Sequence, residues 1–195
     1  MKIHRLILVA SLPLLLPLNA CVPLVAGGAA ATTVSVAHDR RTAGTVLEDQ
    51  NIEIRIARAL GREKELSRQS HINVTAYNGI VLLSGETPTA EFRQRAGDIA
   101  RRQEKVRRVH NELIIAAPSS MMTRTSDSWI TTKVKAALVN IKMQDFDPLR
   151  VKVVTENGTV FLMGLVTRAE AAAVTEQART IKGVQRIVKL FEYID

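Results

Sequence analysis

Two β-rich runs surround Asn78-Gly79 between Ile72 and Gly85, and the same arrangement returns around Asn157-Gly158 between Val151 and Gly164. Asn-Gly is the strongest short hairpin signal, because both residues tolerate the positive φ of a type I′ turn. Asn157 follows Asn78 by 79 residues, so the chain carries an internal repeat, and the repeat governs the fold.

Ahead of each hairpin the apolar period becomes helical. Ile52, Ile56, Ala59 and Leu60 share one face of a helix predicted over Leu47–Leu60, with Glu53, Arg55 and Arg58 on the other side. Ile130, Val134, Ala137 and Leu138 repeat that face 78 residues later. They predict a helix capped by Ser126 or Asp127 and running to about Ile141. Behind the first hairpin, Thr87-Pro88-Thr89 opens a helix over about Thr89–Gln103, with Phe92, Ala96 and Ile99 on one face. Its counterpart spans about Arg168–Lys182 and stops at Gly183. Closing strands follow at Arg107–Ile115 and Gln185–Tyr193, where Val106 and Val109 align with Val184 and Ile187. Each half reads helix, strand, strand, helix, strand. The fold class is α+β, each half a three-stranded mixed sheet packed on two helices.

The organisation follows. Residues 1–20 have the form of a secretory leader, with Lys2 and Arg5 before an apolar core from Leu6 to Leu18. Pro13, Pro17, Pro23, Gly27 and Gly28 interrupt the longer apolar stretch, against a spanning helix of roughly 20 residues. Residues 21–46 form a flexible tether without period, 47–116 the first domain, 117–125 a Pro/Ser linker and 126–195 the second domain.

Composition changes this picture modestly. The formal charge of +8 falls to +6 once the leader's two basic residues are removed. A moderate basic excess suits an anionic surface. The one cysteine, Cys21, excludes an internal disulfide and a Cys-based metal site. Leu18-Asn19-Ala20-Cys21 resembles a bacterial lipobox, which implies that Cys21 is lipidated. The other reading is an incidental cysteine. Val22 stands where an Asp would signal inner-membrane retention, so the analogy points to the outer membrane. Several acyl chains, palmitate among them, anchor far more firmly than one.

A helix, an Asn-Gly hairpin whose second strand ends in Gly, a second helix and a last strand resemble the BON domain. Gly79, Gly85, Gly158 and Gly164 stand at that family's glycine positions. Behind a lipobox, two such domains resemble the dual-BON outer-membrane lipoproteins. Asp127-Ser128-Trp129-Ile130-Thr131-Thr132-Lys133-Val134 and Thr155–Thr167 carry that likeness most closely. The resemblance implies a non-enzymatic, monomeric protein on the periplasmic side of the outer membrane. It implies binding of anionic phospholipid through the first helix of the second domain, support of outer-membrane integrity and gathering at the division site.

The repeat singles out the same helix independently. Trp129 aligns with polar Asn51, and Lys133 with Arg55, so neither belongs to the apolar face. Ala136 and Asn140 continue an outward stripe, and with Thr132 they complete the expected phospholipid-binding set. A Trp ring suits head-group depth, and an ammonium one turn away suits phosphate. A helix N-terminus at Ser126 and Asp127 would favour phosphate too, although the Asp127 charge opposes it. The residues alone equally allow Trp129 to pack on the other domain or the linker. The resemblance favours lipid. A protein-interaction adaptor for an envelope assembly factor is the alternative function.

A second basic cluster, Arg93, Arg95, Arg101, Arg102, Lys105, Arg107 and Arg108, reads either as an anion-binding surface or, preferably, as a solvated face balanced by Glu91, Asp98 and Glu104. Nucleic acid is not expected, because no aromatic residues are interleaved for stacking. His4, His38, His71 and His110 show no paired ligand spacing, so no metal, cofactor or catalytic residue is expected. The Asn73-Val74-Thr75 and Asn157-Gly158-Thr159 sequons read as strand and turn residues.

Overall fold

Both Asn-Gly pairs turn hairpins with positive φ at each residue, 51° and 73° at Asn78 and Gly79, 48° and 70° at Asn157 and Gly158. The structure, a computed structural model, describes residues 39–195. The leader, Cys21 and the tether up to residue 38 lie outside the described residues.

The first repeat comprises α1 (Ala43–Arg62), α2 (Lys64–Gln69), β1 (His71–Tyr77), β2 (Ile80–Thr87), α3 (Ala90–Arg101), β3 (Arg108–Asn111) and β4 (Ile114–Ile115). The second comprises α4 (Met121–Leu138), β5 (Val151–Glu156), β6 (Thr159–Val166), α5 (Arg168–Arg179) and β7 (Arg186–Tyr193). In each repeat the hairpin strands run antiparallel and the last strand joins parallel to the middle one. The sheets are therefore mixed, as expected. The third strand of the first repeat is broken at Glu112 and Leu113, which leaves β4 as a short extra pairing with β2.

The helices differ from expectation at their starts. α1 begins at Ala43, because Thr42 Oγ1 accepts from the Thr45 backbone N–H at 3.1 Å and caps it. The end of the expected tether is thus helical. α4 begins at Met121 on a Ser120 cap and takes in half of the expected linker. Asp127, read as a cap residue, sits within the helix and is buried. Its carboxylate accepts from the backbone N–H groups of Asn157 and Gly158 at 2.8 and 2.9 Å. Asp49 does the same for Asn78 and Gly79 at 2.6 and 2.7 Å. Each first helix thereby clamps its own hairpin turn. Gly85 faces the His71 carbonyl on the partner strand and Gly164 the carbonyl of Arg150, just before β5, where a Cβ would collide.

The apolar helix faces pack on the inner faces of their own sheets. One core gathers Ile52, Ile56, Val81, Leu83, Phe92 and Ala96, and a second gathers Ile130, Val134, Val160, Leu162, Val174 and Ala178. A third lies between the two sheets and consists of Tyr77, Ile80, Leu82, Phe161, Met163 and Leu190. The described residues therefore form one compact unit in which the sheets meet face to face.

The chain ahead of α1 crosses this seam. Arg40 donates to both carboxylate oxygens of Glu170 at 2.7 and 2.9 Å and to the Leu165 carbonyl at 2.8 Å. Arg41 reaches back to Asp49 at 2.7 Å and lies 3.7 Å over the Tyr77 ring. Burial, with the Asp39 carboxylate near, pushes the Tyr77 phenol up to about 12. Adjacent arginines thus hold opposite domains.

Candidate functional site: the outward face of α4

α4 buries Ile130, Val134, Ala137 and Leu138 and turns its other side to solvent. Trp129 is 63% exposed, which excludes its packing on the other domain or the linker. Thr132, Ala136 and Asn140 are exposed along the same side. Two features were not expected. Met121 and Met122, 81% and 83% exposed, extend the helix into the former linker, and Val139 lies open at the other end. Ser120 as a cap, with Met122, Thr125 and Trp129 at helical spacing, was the signal available for that extension.

Lys133 is placed differently from expectation. It is half-buried, and its Nζ donates to the Lys182 carbonyl at 2.7 Å, at the end of the turn after α5. Arg55 in the first domain donates to the Glu104 carbonyl at 2.9 Å. The two pairs are each 78 residues apart, so position 133 keeps a structural role present in both copies. Trp129 has no such counterpart: Asn51 is simply polar and exposed. An ammonium carries three donors, so the Lys133 bond leaves two.

The electrostatics of this face are one-sided. Asp127 is the only acid on α4, and it is buried under the hairpin turn. Arg124, Lys133 and Lys135 are the helix's cations, so its exposed surface is cationic and otherwise uncharged. The helix also starts at Ser120, so the free N–H groups expected near Ser126 stand two turns from that position. Asp127 cannot oppose an anion as expected, since its charge is spent on two backbone N–H groups.

The other basic cluster is largely neutralised. Arg95 pairs with Glu91 and Glu63, Arg101 with Asp98, Lys105 with Glu48 and Arg107 with Glu192. Arg93 donates to the Asn111 carbonyl at 3.1 Å. Burial, with Arg108 beside it, holds His110 below the usual histidine range. None of the helices among the described residues is long and apolar enough to cross a membrane.

Two segments, residues 48–117 and 126–195, match the BON domain family. The outer membrane lipoprotein DolP of Haemophilus influenzae is 37% identical over 179 residues, covering 91% of each chain. A 21 kDa hemolysin of Actinobacillus pleuropneumoniae is 38% identical over 156 residues, covering 80% of this chain and 79% of that one. Among solved structures, CdsD, a structural protein of the type III secretion system of Chlamydia trachomatis, aligns with a TM-score of 0.30 at 11% identity. It covers 72% of this chain and 90% of that one.

Proposed function

Since the chain belongs to the BON-domain family as an outer-membrane lipoprotein of the DolP type, we propose that α4 binds anionic phospholipid at the periplasmic face of that membrane. The observation that carries this reading is Trp129, exposed on a helix whose surface bears cations and no acid. Trp129 enters the membrane at head-group depth. Thr132, Ala136 and Asn140 are short and uncharged, so the helix lies close to the surface. Lys133, tethered at Lys182, offers its remaining donors to phosphate, and Lys135 adds a free cation. Acyl chains on Cys21, after removal of residues 1–20, supply the first attachment and α4 the second. No chemical step is part of this function; the protein supports membrane integrity by gathering where anionic lipid is dense, the division site included. Met121 and Met122 favour one alternative, docking of an envelope assembly protein, because exposed methionines adapt to varied partners.

The test uses residues 22–195 and the single tryptophan. A blue shift of Trp129 emission with anionic vesicles, absent with neutral ones and reduced by salt, is the expected result. An emission unmoved by any vesicle would leave the adaptor reading.

A further inference from the structure

Away from α4, the seam between the sheets encloses a group of side chains with no role so far. His71 opens β1, and Glu86 stands directly across from it on β2. Glu156 ends β5 of the other domain and comes to the same place. One ligand atom from each lies within 4.8 Å of the others. The two glutamates are only 1% and 6% exposed.

Their partners are all neutral. Glu86 accepts from the Asn157 side-chain amide and from the Ser119 backbone N–H at 3.1 Å. Glu156 accepts from the Asn73 amide at 2.7 Å and, more weakly, from Ser84 Oγ at 3.5 Å. Neither makes an ion pair with Lys or Arg among the described residues. Of the other buried acids, Asp49 and Glu170 each have an arginine, and Asp127 is held by two backbone N–H groups. Burying an unpaired carboxylate costs several kcal/mol, and a second one nearby raises the penalty. The His71 imidazole makes no hydrogen bond among the described residues. It and Glu156 line a cleft of about 230 Å³ with Asn73, Asp127, Thr131 and Thr155, and with Arg124, whose guanidinium donates to the Ser119 carbonyl; the cleft gives a path from solvent.

We propose that His71, Glu86 and Glu156 bind one divalent transition cation of the zinc class at the seam. Two carboxylates cancel its charge. The imidazole selects against magnesium and calcium, which prefer all-oxygen sites. Three protein ligands leave a position for water on the cleft side, as in open zinc sites. Tetrahedral bonds of about 2.0–2.2 Å set donors about 3.3–3.6 Å apart, so side-chain atoms spread over up to 4.8 Å draw in by as much as about an ångström or slightly more. The Asn73 and Asn157 amides orient the two carboxylates from behind. The cation would join the domains, since two ligands come from the first and one from the second.

The experiment uses the mature full chain in detergent, stripped with chelator, and titrates zinc, cobalt and magnesium. The expected result is one equivalent of zinc bound, visible absorption bands with one equivalent of cobalt, a raised thermal midpoint and no response to magnesium. His71→Ala and Glu156→Gln should abolish all three; Asn73→Ala should weaken affinity about 10–100-fold. Glu156→Gln keeps the shape and the amide contacts, and an unchanged circular dichroism spectrum confirms that it folds. Absence of one-to-one binding would overturn the proposal, as would binding that survives both ligand substitutions. It would also fail if Glu156→Gln alone raised the midpoint while zinc left the parent unchanged, because the carboxylates would then share a proton instead.

Discussion

The two first helices, α1 and α4, occupy the same place in the same domain and face solvent very differently. Their buried faces match position for position, and each holds its hairpin turn with one buried aspartate. Their outward stripes diverge. Leu47, Asn51, Ile54, Arg58 and Arg62 on α1 align with Thr125, Trp129, Thr132, Ala136 and Asn140. α1 also carries Glu48 and Glu53, which pair with Arg55, Lys105 and Lys152. Those two acids are engaged within the molecule, while Arg58 and Arg62 stay exposed. α4 has no exposed acid, and its one large addition is an indole. A shared scaffold fixes backbone and core, and the outward positions are left to carry function.

This contrast can be broken in several ways. The largest effects belong to what the helices share. Asp127→Ala strands two turn N–H groups, and we expect a loss of about 3 kcal/mol in denaturant unfolding. Asp49→Ala should lose more, because Arg41 also loses one of its two carboxylates and keeps only Asp39. Equal losses would show that the arginine contributes nothing.

The strap comes next. Arg40→Ala removes a paired guanidinium from Glu170, with an expected loss of about 2 kcal/mol at neutral pH. Burial alone would raise the Glu170 carboxyl, but Arg40 and the Thr167 N–H outweigh it and hold it below the usual range. A carboxyl lowered in the folded state stabilises above its unfolded value and loses that contribution as pH falls through the folded one. Stability of the parent should therefore decline in acid below about pH 4.5, and the Arg40→Ala variant should decline less over that window. Parallel curves would contradict the assignment.

The difference between the helices is then tested by exchange. Trp129→Ala should weaken partition onto anionic vesicles about 10–100-fold, the worth of one large apolar side chain leaving water. Asn51→Trp in that background should not restore binding, because Glu48, one turn away, engages the nearby cations Arg55 and Lys105. Restoration would show that this acid does not matter. The smallest effect is expected at Lys133→Gln, a change in partition of about threefold or less, since the ammonium is already engaged. A loss as large as that of Trp129→Ala would make Lys133 the main lipid contact.

Much of this was legible in the chain. The hairpins rest on two residues each, and local φ preference decides them. The apolar helix faces follow from aligning the repeats, which also sets Trp129 off the apolar face but leaves open whether it packs elsewhere; the structure shows it exposed. The start of α4 was missed because its first turn, Met121 to Arg124, has no buried residue to set a period. Docking of the sheets left a trace that period-based reading passes over. Ile80–Leu83 and Val160–Leu165 are apolar without alternation, the pattern of strands covered on both faces.

The sequence by itself determined the repeat, the α+β order and which helix stripe departs from its copy, because these depend on neighbours within a few residues or on a regular offset. Only the tertiary structure decided that Arg40 and Arg41 hold opposite domains and that Lys133 is tied to Lys182. It alone gathered His71, Glu86 and Glu156 at one point. Contacts between side chains so far apart in the chain have no local period. They exist only once two sheets bury their outer faces against each other, and that packing sets which charges meet.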